Sequence, residues 1–418
     1  MDNLRKICHI STNENGDNFV GIKVDKNGIS VHFPLGYNLP TSNNEQVLRR
    51  DIVNLISVIS EYLQSSKFAE ENFTVQKSDF PVNAYITVIT DFLQRSYYTE
   101  TEQKYTTSTA GKIHWNRTIR KQKPLLQTNG SPVYTQFEVR NFASNAQNLI
   151  TQIHEFCVFE AFQKLGWLFS AEMPRKPQLQ LNKPLFMDIV RQKLNQTFND
   201  ADKRLFISML DILDCADGNA NYSFGTENFE HIWEYMVDKI FGIADKSKYF
   251  PRTYWQLTNA ENPTKNHSLR PDTIMISEKN GEKYAFILDA KYYKYGVTAN
   301  PRHLPETSDI HKQITYGEFV HNLEEFAAVF NIFVMPYNAA CNLFEIGENA
   351  ENAENIKYIG TAYSDWKIAG FTYEIVHGIL VDVKFLMSGN FSGLTSDYLI
   401  GKILEQPKNF ALKEIQRC

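Results

Sequence analysis

The residues whose types and spacing best suit chemistry lie between positions 270 and 293, in the stretch RPDTIMISEKNGEKYAFILDAKYY. Two apolar runs, TIMI and AFIL, are joined by Glu-Lys-Asn-Gly, a pattern typical of a β-hairpin. Asp272 opens the first predicted strand, and Asp289, Ala290 and Lys291 end the second. Because successive strand residues alternate between faces, Asp289 and Lys291 leave one face while Ala290 points into the packing. The hairpin therefore predicts one surface that carries both a carboxylate and an ammonium group.

This arrangement suits the hydrolysis of a phosphodiester. Such a reaction needs a hard cation held by oxygen ligands, which lowers the pKa of a bound water and neutralises charge on the scissile phosphate. Asp272, Asp289 and the backbone carbonyl of Ala290 can supply these ligands, and Mg²⁺ or Mn²⁺ is the expected cofactor. Lys291 is then predicted to position or help deprotonate the attacking water and to stabilise negative charge on phosphorus.

A plain surface ion pair is the alternative interpretation of Asp289 and Lys291, because such pairs are common and contribute little. The run AFIL before Asp289 is apolar on both faces, which favours a buried strand with a functional end. A second strand-like run, GILVDVKFL, also ends in Asp-x-Lys, at Asp382 and Lys384, but it has no Pro-Asp hairpin partner. We interpret that second pair as structural and expect it at a sheet edge.

The Pro-Asp pair ending at Asp272 and the Asp-Ala-Lys triplet ending at Lys291 reproduce the signature of the PD-(D/E)xK nuclease superfamily, which the sequence resembles. The resemblance implies a metal-dependent endonuclease acting on double-stranded DNA. In many members the first helix of the fold lends a Glu to the metal site. The segment FEHIWEYMV looks like that helix, so the resemblance makes Glu234 a candidate catalytic residue and metal ligand, with Glu230 second.

The segment DIHKQITY, residues 309–316, resembles the Gln-containing motif that follows the catalytic lysine in RecB-like and McrC-like nucleases. Gln313 and Tyr316 are three apart on a predicted helix, which makes them surface neighbours able to touch substrate or the lysine. The usual spacing in those nucleases is one residue longer. The resemblance implies a catalytic role for Gln313 and a contact with DNA or a partner for Tyr316.

A second resemblance concerns GKIHWNRTIRK, residues 111–121, which is similar to the Gly-x-Ile-x-Trp-x-x-Thr-Ile element of McrC-like restriction subunits. The wider layout looks like the LlaJI type of restriction endonuclease. This implies a two-component, GTP-dependent restriction system, an oligomeric complex in which a separate McrB-like AAA+ GTPase translocates on DNA and this subunit cuts. The sequence has no GxxxxGK[ST] phosphate loop, which is consistent with that division.

Four basic residues in and after this element are predicted to bind DNA phosphate or to dock on the GTPase: Arg117, Arg120, Lys121 and Lys123. A solvated basic loop is the alternative. Two rival functions also stay open. A stand-alone type II restriction or repair nuclease would cut without nucleotide, and a non-catalytic, GTPase-stimulating DNA-binding subunit would bind no divalent metal.

Composition limits the class of protein further. The 418 residues exceed what one core usually serves, and 43% hydrophobic with 22% charged residues is typical of globular proteins. A formal charge of -5 means that any DNA-binding surface is local or shared with a partner. Five scattered cysteines without a CxxC pair argue against a zinc site or a disulfide framework. The lack of a long apolar run predicts no membrane span and a cytoplasmic location.

The elements that must position these residues suggest an α/β (α+β mixed) chain of three domains. Residues 1–130 read as a small β-rich and helical region, predicted to bind a partner. Residues 131–220 read as a helical linker domain. Residues 221–418 read as a PD-(D/E)xK domain, a mixed sheet flanked by helices in the order α, β, β, α, β. The polar, basic segment 105–132 is predicted to be an exposed connection or a protruding hairpin.

Overall fold

The structure is a computed structural model that describes residues 4–14, 16–25, 28–40, 44–65, 80–145, 148–169, 172–216, 221–341, 343–344, 355–367, 370–389 and 394–404. Within these ranges the helices are α1 (Leu4–Ile7), α2 (Glu45–Leu63), α3 (Val82–Arg95), α4 (Trp115–Lys121), α5 (Leu149–Leu165), α6 (Lys183–Gln196), α7 (Asp200–Cys215), α8 (Phe229–Phe241), α9 (Tyr295–Thr298), α10 (Thr307–Leu323), α11 (Val383–Ser388) and α12 (Leu394–Leu404). The strands are β1 (Cys8–Ile10), β2 (Val20–Asp25), β3 (Gly28–Phe33), β4 (Glu100–Ser108), β5 (Leu125–Leu126), β6 (Pro132–Val133), β7 (Phe137–Asn145), β8 (Tyr222–Thr226), β9 (Tyr254–Trp255), β10 (Thr264–Lys265), β11 (Thr273–Lys279), β12 (Glu282–Ala290), β13 (Ala328–Tyr337), β14 (Ile356–Tyr363) and β15 (Ile375–Asp382).

The chain divides into two units. One joins Met1–Ser78 to Asn221–Cys418, and the other is Asp79–Ala220. The division after residue 220 lies where the sequence placed a boundary, whereas the boundary expected at residue 130 falls inside the second unit. The reason is a long hairpin, in which β4 and β7 pair from Glu100 with Asn145 to Ser108 with Phe137. The segment between these strands is therefore a hairpin extension and not a domain border.

A four-stranded sheet in the order β1, β3, β2, β8 explains why the N-terminal residues belong with the C-terminal ones. Strands β2 and β3 form the hairpin that their turn signals predict, and β8 pairs antiparallel with β2. Strand β1 pairs parallel to β3, so this sheet is mixed. Gly21 has φ +142, and a Cβ there would overlap the carbonyl oxygen of Phe224, so only glycine allows β2 and β8 to approach this closely.

A five-stranded mixed sheet, in the order β11, β12, β13, β15, β14, forms the centre of the first unit. Strands β12, β13 and β15 are parallel, and β11 and β14 run antiparallel at the two edges. Helix α8 precedes β11, and α10 connects β12 to β13, so the predicted order α, β, β, α, β and the predicted fold class are confirmed. The crossover through α10 is the connection that two parallel neighbours require.

Helix α10 packs closely on one face of this sheet. Its residues Tyr316 and Val320 form a buried cluster with Ile274 of β11 and Ile287 of β12. At Gly317 a Cβ would overlap the amide of Asn331, so the glycine lets the helix approach β13. Asn331 is itself buried, and its amide donates a 2.6 Å hydrogen bond to the carbonyl of Tyr373. This packing fixes the height of α10 against the ends of β11 and β12.

The second unit is built from helices α3, α5, α6 and α7 together with the β4–β7 hairpin and α4. The sequence predicts a helical region over residues 131–220, but residues 137–145 form β7, because pairing with β4 overrides a local periodicity. The long apolar stretch after residue 186 is two helices, and Asn199 between them accepts a 2.8 Å hydrogen bond from the N–H of Ala201. Within the described ranges no helix has the length and apolar character needed to cross a membrane.

The second Asp-x-Lys pair is structural, as the sequence suggested, but its predicted place at a sheet edge is wrong. Strand β15 lies between β13 and β14, and its last residue, Asp382, caps α11. The Asp382 carboxylate accepts hydrogen bonds from the N–H groups of Phe385 (2.7 Å) and Ala339 (2.8 Å). Lys384 pairs with Asp51 at 2.6 Å. Asp382 thus ties the turn after β13 to the start of α11, and Lys384 joins α11 to α2.

We predict that Asp382→Ala destabilises the protein by about 2–4 kcal/mol, because two backbone N–H groups lose their acceptor and a helix loses its cap. Urea denaturation of the purified chain measures this as a lower midpoint. The exposed acid Asp397 provides the control, and Asp397→Ala should shift the midpoint by less than about 0.5 kcal/mol. Equal midpoints for Asp382→Ala and wild type would contradict the structural role.

Candidate active site

Two carboxylates face each other at the ends of β11 and β12. Thr273 pairs with Leu288 in the hairpin register, so one further step brings Asp272 opposite Asp289. Side chains that are directly opposite have Cβ atoms about 5 Å apart. Oδ2 of Asp272 accepts a 3.0 Å hydrogen bond from the N–H of Ala290, and the carboxyl of Asp289 lies close enough to interact directly with that of Asp272. The structure therefore brings together the two acids that the sequence singled out.

Burial raises the pKa of Asp272 well above its ordinary value of 3.8, and the negative charges of Asp289 and Glu234 raise it further. Asp289 is only 2% exposed. Two carboxylates this close repel each other when both are charged, unless a cation neutralises them. The site thus has an excess of negative charge that a divalent cation would relieve.

Lys291 lies between two acids. Its Nζ is 2.9 Å from Oδ2 of Asp289 and 2.8 Å from Oδ1 of Asp309. Its backbone N–H donates to the carbonyl of Val334, which continues the β12–β13 ladder for one residue beyond the strand. Asp289 and Lys291 consequently share one face, as predicted. Burial alone would lower the pKa of Lys291, but the two carboxylates outweigh it and raise that pKa above its usual range.

Asp309 is the site residue that sequence reasoning missed. It lies in the first turn of α10, where its carboxylate also closes a capping box with Glu306. Besides Lys291, Asp309 accepts a 3.2 Å hydrogen bond from the hydroxyl of Tyr293. Burial opposes its charge, but the hydrogen bond and charge of Lys291 outweigh that effect and lower the pKa of Asp309. The only signal was that DIHKQITY begins with this acid, which by itself is an ordinary charge at a helix N-terminus.

Gln313 lies against the strand that carries Asp289. Its amide donates a 2.7 Å hydrogen bond to the carbonyl of Ile287, and the side chain is only 1% exposed. Its Oε1 atom is buried and accepts no hydrogen bond among the described residues. The helix motif therefore lies next to the strand that carries Asp289, and its Oε1 is an acceptor that water or a ligand can satisfy.

Tyr316 is not at the surface, where the predicted contact with DNA or a partner would need it. The side chain is 1% exposed because the ring belongs to the core between α10 and the sheet. Its hydroxyl lies 3.4 Å from the carbonyl of Arg270, a long hydrogen bond two residues before Asp272. Burial raises the pKa of Tyr316, and the nearby charges of Asp289 and Asp272 add to this. Tyr316 thus contacts the backbone just before Asp272 and helps to hold it in place.

The two candidate glutamates of α8 differ in what they face. The charge of Glu234 acts on Asp272, whereas the charge of Glu230 acts on the phenol of Tyr292. Tyr292 is a core residue whose hydroxyl accepts a 2.7 Å hydrogen bond from the N–H of Leu35. The electrostatic effect of Glu234 on Asp272 therefore favours Glu234 over Glu230 as the residue near the acids.

The predicted basic group belongs to the second unit. Arg120, Lys121 and Lys123 are exposed, as a phosphate- or partner-binding role requires. Arg117 is half-buried instead, with its guanidinium 4.0 Å from the centre of the Tyr105 ring, so it packs the hairpin. Lys121 lies 3.9 Å from Glu138, a loose pair that leaves it largely in solvent.

The donor set fits a hard cation in part. Nothing in the described ranges gathers three His, Cys, Asp or Glu side chains closely enough to hold a metal by side chains alone. Two carboxylates are in contact, however, and Oδ2 of Asp289 is a buried oxygen without a well-oriented hydrogen bond, although Lys291 is 2.9 Å away. A metal here would rest on Asp272, Asp289 and the predicted carbonyl ligand of Ala290, completed by water or substrate oxygens, which is how Mg²⁺ is commonly held.

Comparison with known proteins identifies the class. The model of the LlaJI restriction endonuclease family matches residues 19–362, and the chain belongs to this family. The resemblance read from the motifs is thereby confirmed. The Type II restriction enzyme BsuMI component YdjA of Bacillus subtilis (strain 168) is 23% identical over 358 residues, 79% of this chain and 74% of that protein.

A solved structure is also similar. It is the refined half-complex from the tetradecameric assembly of Thermococcus gammatolerans McrB AAA+ hexamers with bound McrC. The match covers 92% of this chain and 83% of that chain, with 15% identity and a TM-score of 0.37.

The raised pKa of Asp272 predicts how stability depends on pH without metal. Between 3.8 and the raised value, the folded protein holds a proton that the unfolded chain has lost, so the free energy of unfolding falls as pH rises through this window. We expect Asp272→Asn to reduce this fall and to stabilise the metal-free protein at neutral pH. Denaturation midpoints in EDTA between pH 4 and 8 measure the effect.

Adding Mn²⁺ should make the wild-type protein more stable than Asp272→Asn, the reverse of their order in EDTA. At a hundredfold excess over the dissociation constant, metal stabilises wild type by about 2.7 kcal/mol and the Asn variant by much less. A variant that loses stability in EDTA, or gains as much from Mn²⁺ as wild type, would show that the acids are not a cation site.

Proposed function

We propose that this chain is the DNA-cleaving subunit of a restriction system and hydrolyses phosphodiester bonds with Mg²⁺ or Mn²⁺. Membership of a restriction endonuclease family supports cleavage of DNA. The observation that carries the proposal is the contact of Asp272 with Asp289 beside Lys291, at the ends of adjacent strands. A surface ion pair is the weaker interpretation, because Asp289 is only 2% exposed.

Asp272, Asp289 and the carbonyl of Ala290 are the proposed metal ligands. When bound, a divalent cation supplies charge neutralisation at the scissile phosphate and acidifies a water molecule. The backbone fixes the carboxylate of Asp272 at this position, since it accepts a hydrogen bond from the N–H of Ala290. Glu234 acts electrostatically on Asp272 and is proposed to complete the acidic side of the site.

Lys291 is proposed to hydrogen-bond the attacking water and the phosphate oxygens. The acids on either side of it favour the ammonium form, so charge stabilisation suits it better than proton abstraction. Gln313 is proposed to position β12, because it donates to the carbonyl two residues before Asp289. Its unsatisfied Oε1 is available to an ordered water at the site.

A separate AAA+ GTPase is the proposed partner, with GTP hydrolysis driving translocation within an oligomeric complex. The similarity of residues 111–121 to McrC-like subunits and the absence of a phosphate loop support this division of labour. The relative from Bacillus subtilis carries the name of a component of a restriction enzyme, which also favours a subunit. Arg120, Lys121 and Lys123 are exposed and are proposed to contact DNA or that partner.

The rivals differ from this proposal in measurable ways. A stand-alone nuclease would cut one DNA sequence without nucleotide. A non-catalytic subunit would stimulate the GTPase but bind no Mg²⁺ or Mn²⁺ by calorimetry. The buried acids and the lysine beside them favour catalysis over a purely stimulating role.

The direct test is Asp289→Asn, which should reduce metal-dependent plasmid cleavage about 10³-fold or more in the presence of GTPase and GTP. The expected reason is the loss of a charged ligand at the metal position. Asp365→Asn, at an exposed acid, is the matched control and should cut like wild type. Undiminished cleavage by Asp289→Asn would refute the site.

We also expect Asp309→Asn to lower kcat about 10- to 100-fold, with a smaller change in KM, because Lys291 loses one of its two fixing acids. Asp289 still holds the ammonium form of Lys291 in this variant, so the measured effect is the fall in kcat at unchanged protonation of the lysine. Asp309→Glu should recover part of the activity.

Glu306→Gln is the control for the helix cap that Glu306 and Asp309 share, and it should leave kcat unchanged. A kcat that is identical for Asp309→Asn and wild type would mean that Asp309 only caps the helix.

A further inference from the structure

The chain between α8 and β11 forms a short two-stranded ribbon that no motif explains. Strands β9 and β10 pair antiparallel, with Trp255 opposite Thr264 and Tyr254 opposite Lys265. Below them, the N–H of Asn266 donates to the carbonyl of Thr253 (3.0 Å). We call residues 251–270 the ribbon. An isolated pair of two-residue strands has little stability of its own, so we expect the ribbon to gain stability from contact with a partner.

Both faces of the ribbon expose aromatic rings. Tyr254 and Lys265 share one face, and Trp255 lies on the other. Tyr254 is 57% exposed and Trp255 is 64% exposed. Large aromatic side chains left in water on both faces of a thin ribbon gain most from contact with a partner that encloses the ribbon.

The ribbon is basic in an acidic chain. It contains Arg252, Lys265 and Arg270 against a single acid, Glu261, while the whole chain has a formal charge of -5. All three basic residues are exposed, and within the described ranges none of them forms an ion pair. Lysines elsewhere in the same unit are commonly paired, as Lys384 is with Asp51. Unpaired cations beside exposed rings favour a nucleic acid over an apolar protein surface.

The ribbon runs directly into the candidate active site. At its base, the N–H of Leu269 donates to the carbonyl of Pro251 (2.9 Å), and the carbonyl of Arg270 faces the Tyr316 hydroxyl at 3.4 Å. Asp272 follows two residues later. Lys265 is seven residues from Asp272, so the two Cα atoms are at most about 25 Å apart. A duplex rises 3.4 Å per base pair, which places the ribbon within about seven base pairs of a phosphate at the site.

We propose that the ribbon enters the major groove of duplex DNA beside the phosphate that is cut. A two-stranded ribbon has the width that the major groove admits. Arg252, Lys265 and Arg270 contact phosphates along the rims, and Tyr254 and Trp255 contact base edges inside the groove. This inference rests on the proposed function for the position of the cut, and it supplies a local DNA grip to a chain that is acidic overall.

The test is DNA binding by the full chain in EDTA, measured by the fluorescence anisotropy of a labelled 30-base-pair duplex. We expect Arg252→Ala with Lys265→Ala to weaken binding at least tenfold. The same pair of changes should reduce the slope of log Kd against log salt by about 2, or 0.9 for each phosphate contact. Tyr254→Ala with Trp255→Ala should also weaken binding tenfold, but with the slope unchanged.

Two matched controls separate this site from general charge and exposure. Lys279→Ala with Arg204→Ala removes two exposed cations elsewhere, and Phe198→Ala removes an aromatic ring that is 90% exposed. Both should bind like wild type. Methyl green, which occupies the major groove, should compete with wild type, whereas the minor-groove ligand netropsin should not.

Equal affinity and equal salt slope for the ribbon variants and wild type would overturn the inference, as would competition by netropsin alone. Ribbon variants that keep DNA affinity but lose GTPase-dependent cleavage would assign the ribbon to a protein partner and also overturn it. Because binding is measured without metal, an active Asp289→Asn enzyme would refute the proposed function while the ribbon result stands by itself.

Discussion

The candidate active site depends on the confinement of like charges at the end of a sheet. Asp272 and Asp289 are brought into contact by the β11–β12 register, and burial together with their mutual repulsion raises the pKa of Asp272. Such an arrangement is costly for a protein that needs only stability, since buried acids are normally paired or solvated. It becomes favourable when a divalent cation occupies the place where the charges converge.

The position of Lys291 depends on both the sheet and the helix. Strand β12 places Asp289 next to the ammonium group of Lys291, and the first turn of α10 places Asp309 next to the same group. The height of the helix is set by contacts far from any charge, chiefly the glycine at residue 317 and the buried amide of Asn331. The apolar packing of α10 is therefore part of the site, because a shift of the helix would separate Asp309 from Lys291.

The two Asp-x-Lys strands illustrate why a motif alone is insufficient. Both end an apolar run, but Asp382 accepts hydrogen bonds from two backbone N–H groups, whereas Asp289 keeps a buried oxygen without a well-oriented hydrogen bond. Both oxygens of the Asp382 carboxylate are engaged by backbone N–H groups, which makes this carboxylate less available to a metal than that of Asp289. The distinction between a structural acid and a candidate metal ligand thus lies in what the carboxylate already contacts.

The sequence by itself determined the hairpin, the order of the elements around the five-stranded sheet and the contact of Asp272, Asp289 and Lys291, because turn signals and strand alternation are local properties. The tertiary structure alone decided the rest. It placed Asp309 on Lys291, buried Tyr316, turned Arg117 onto Tyr105, joined the N-terminal strands to β8 and put residues 100–145 into one hairpin. Each of these depends on contacts between residues distant in the chain, which no local pattern encodes.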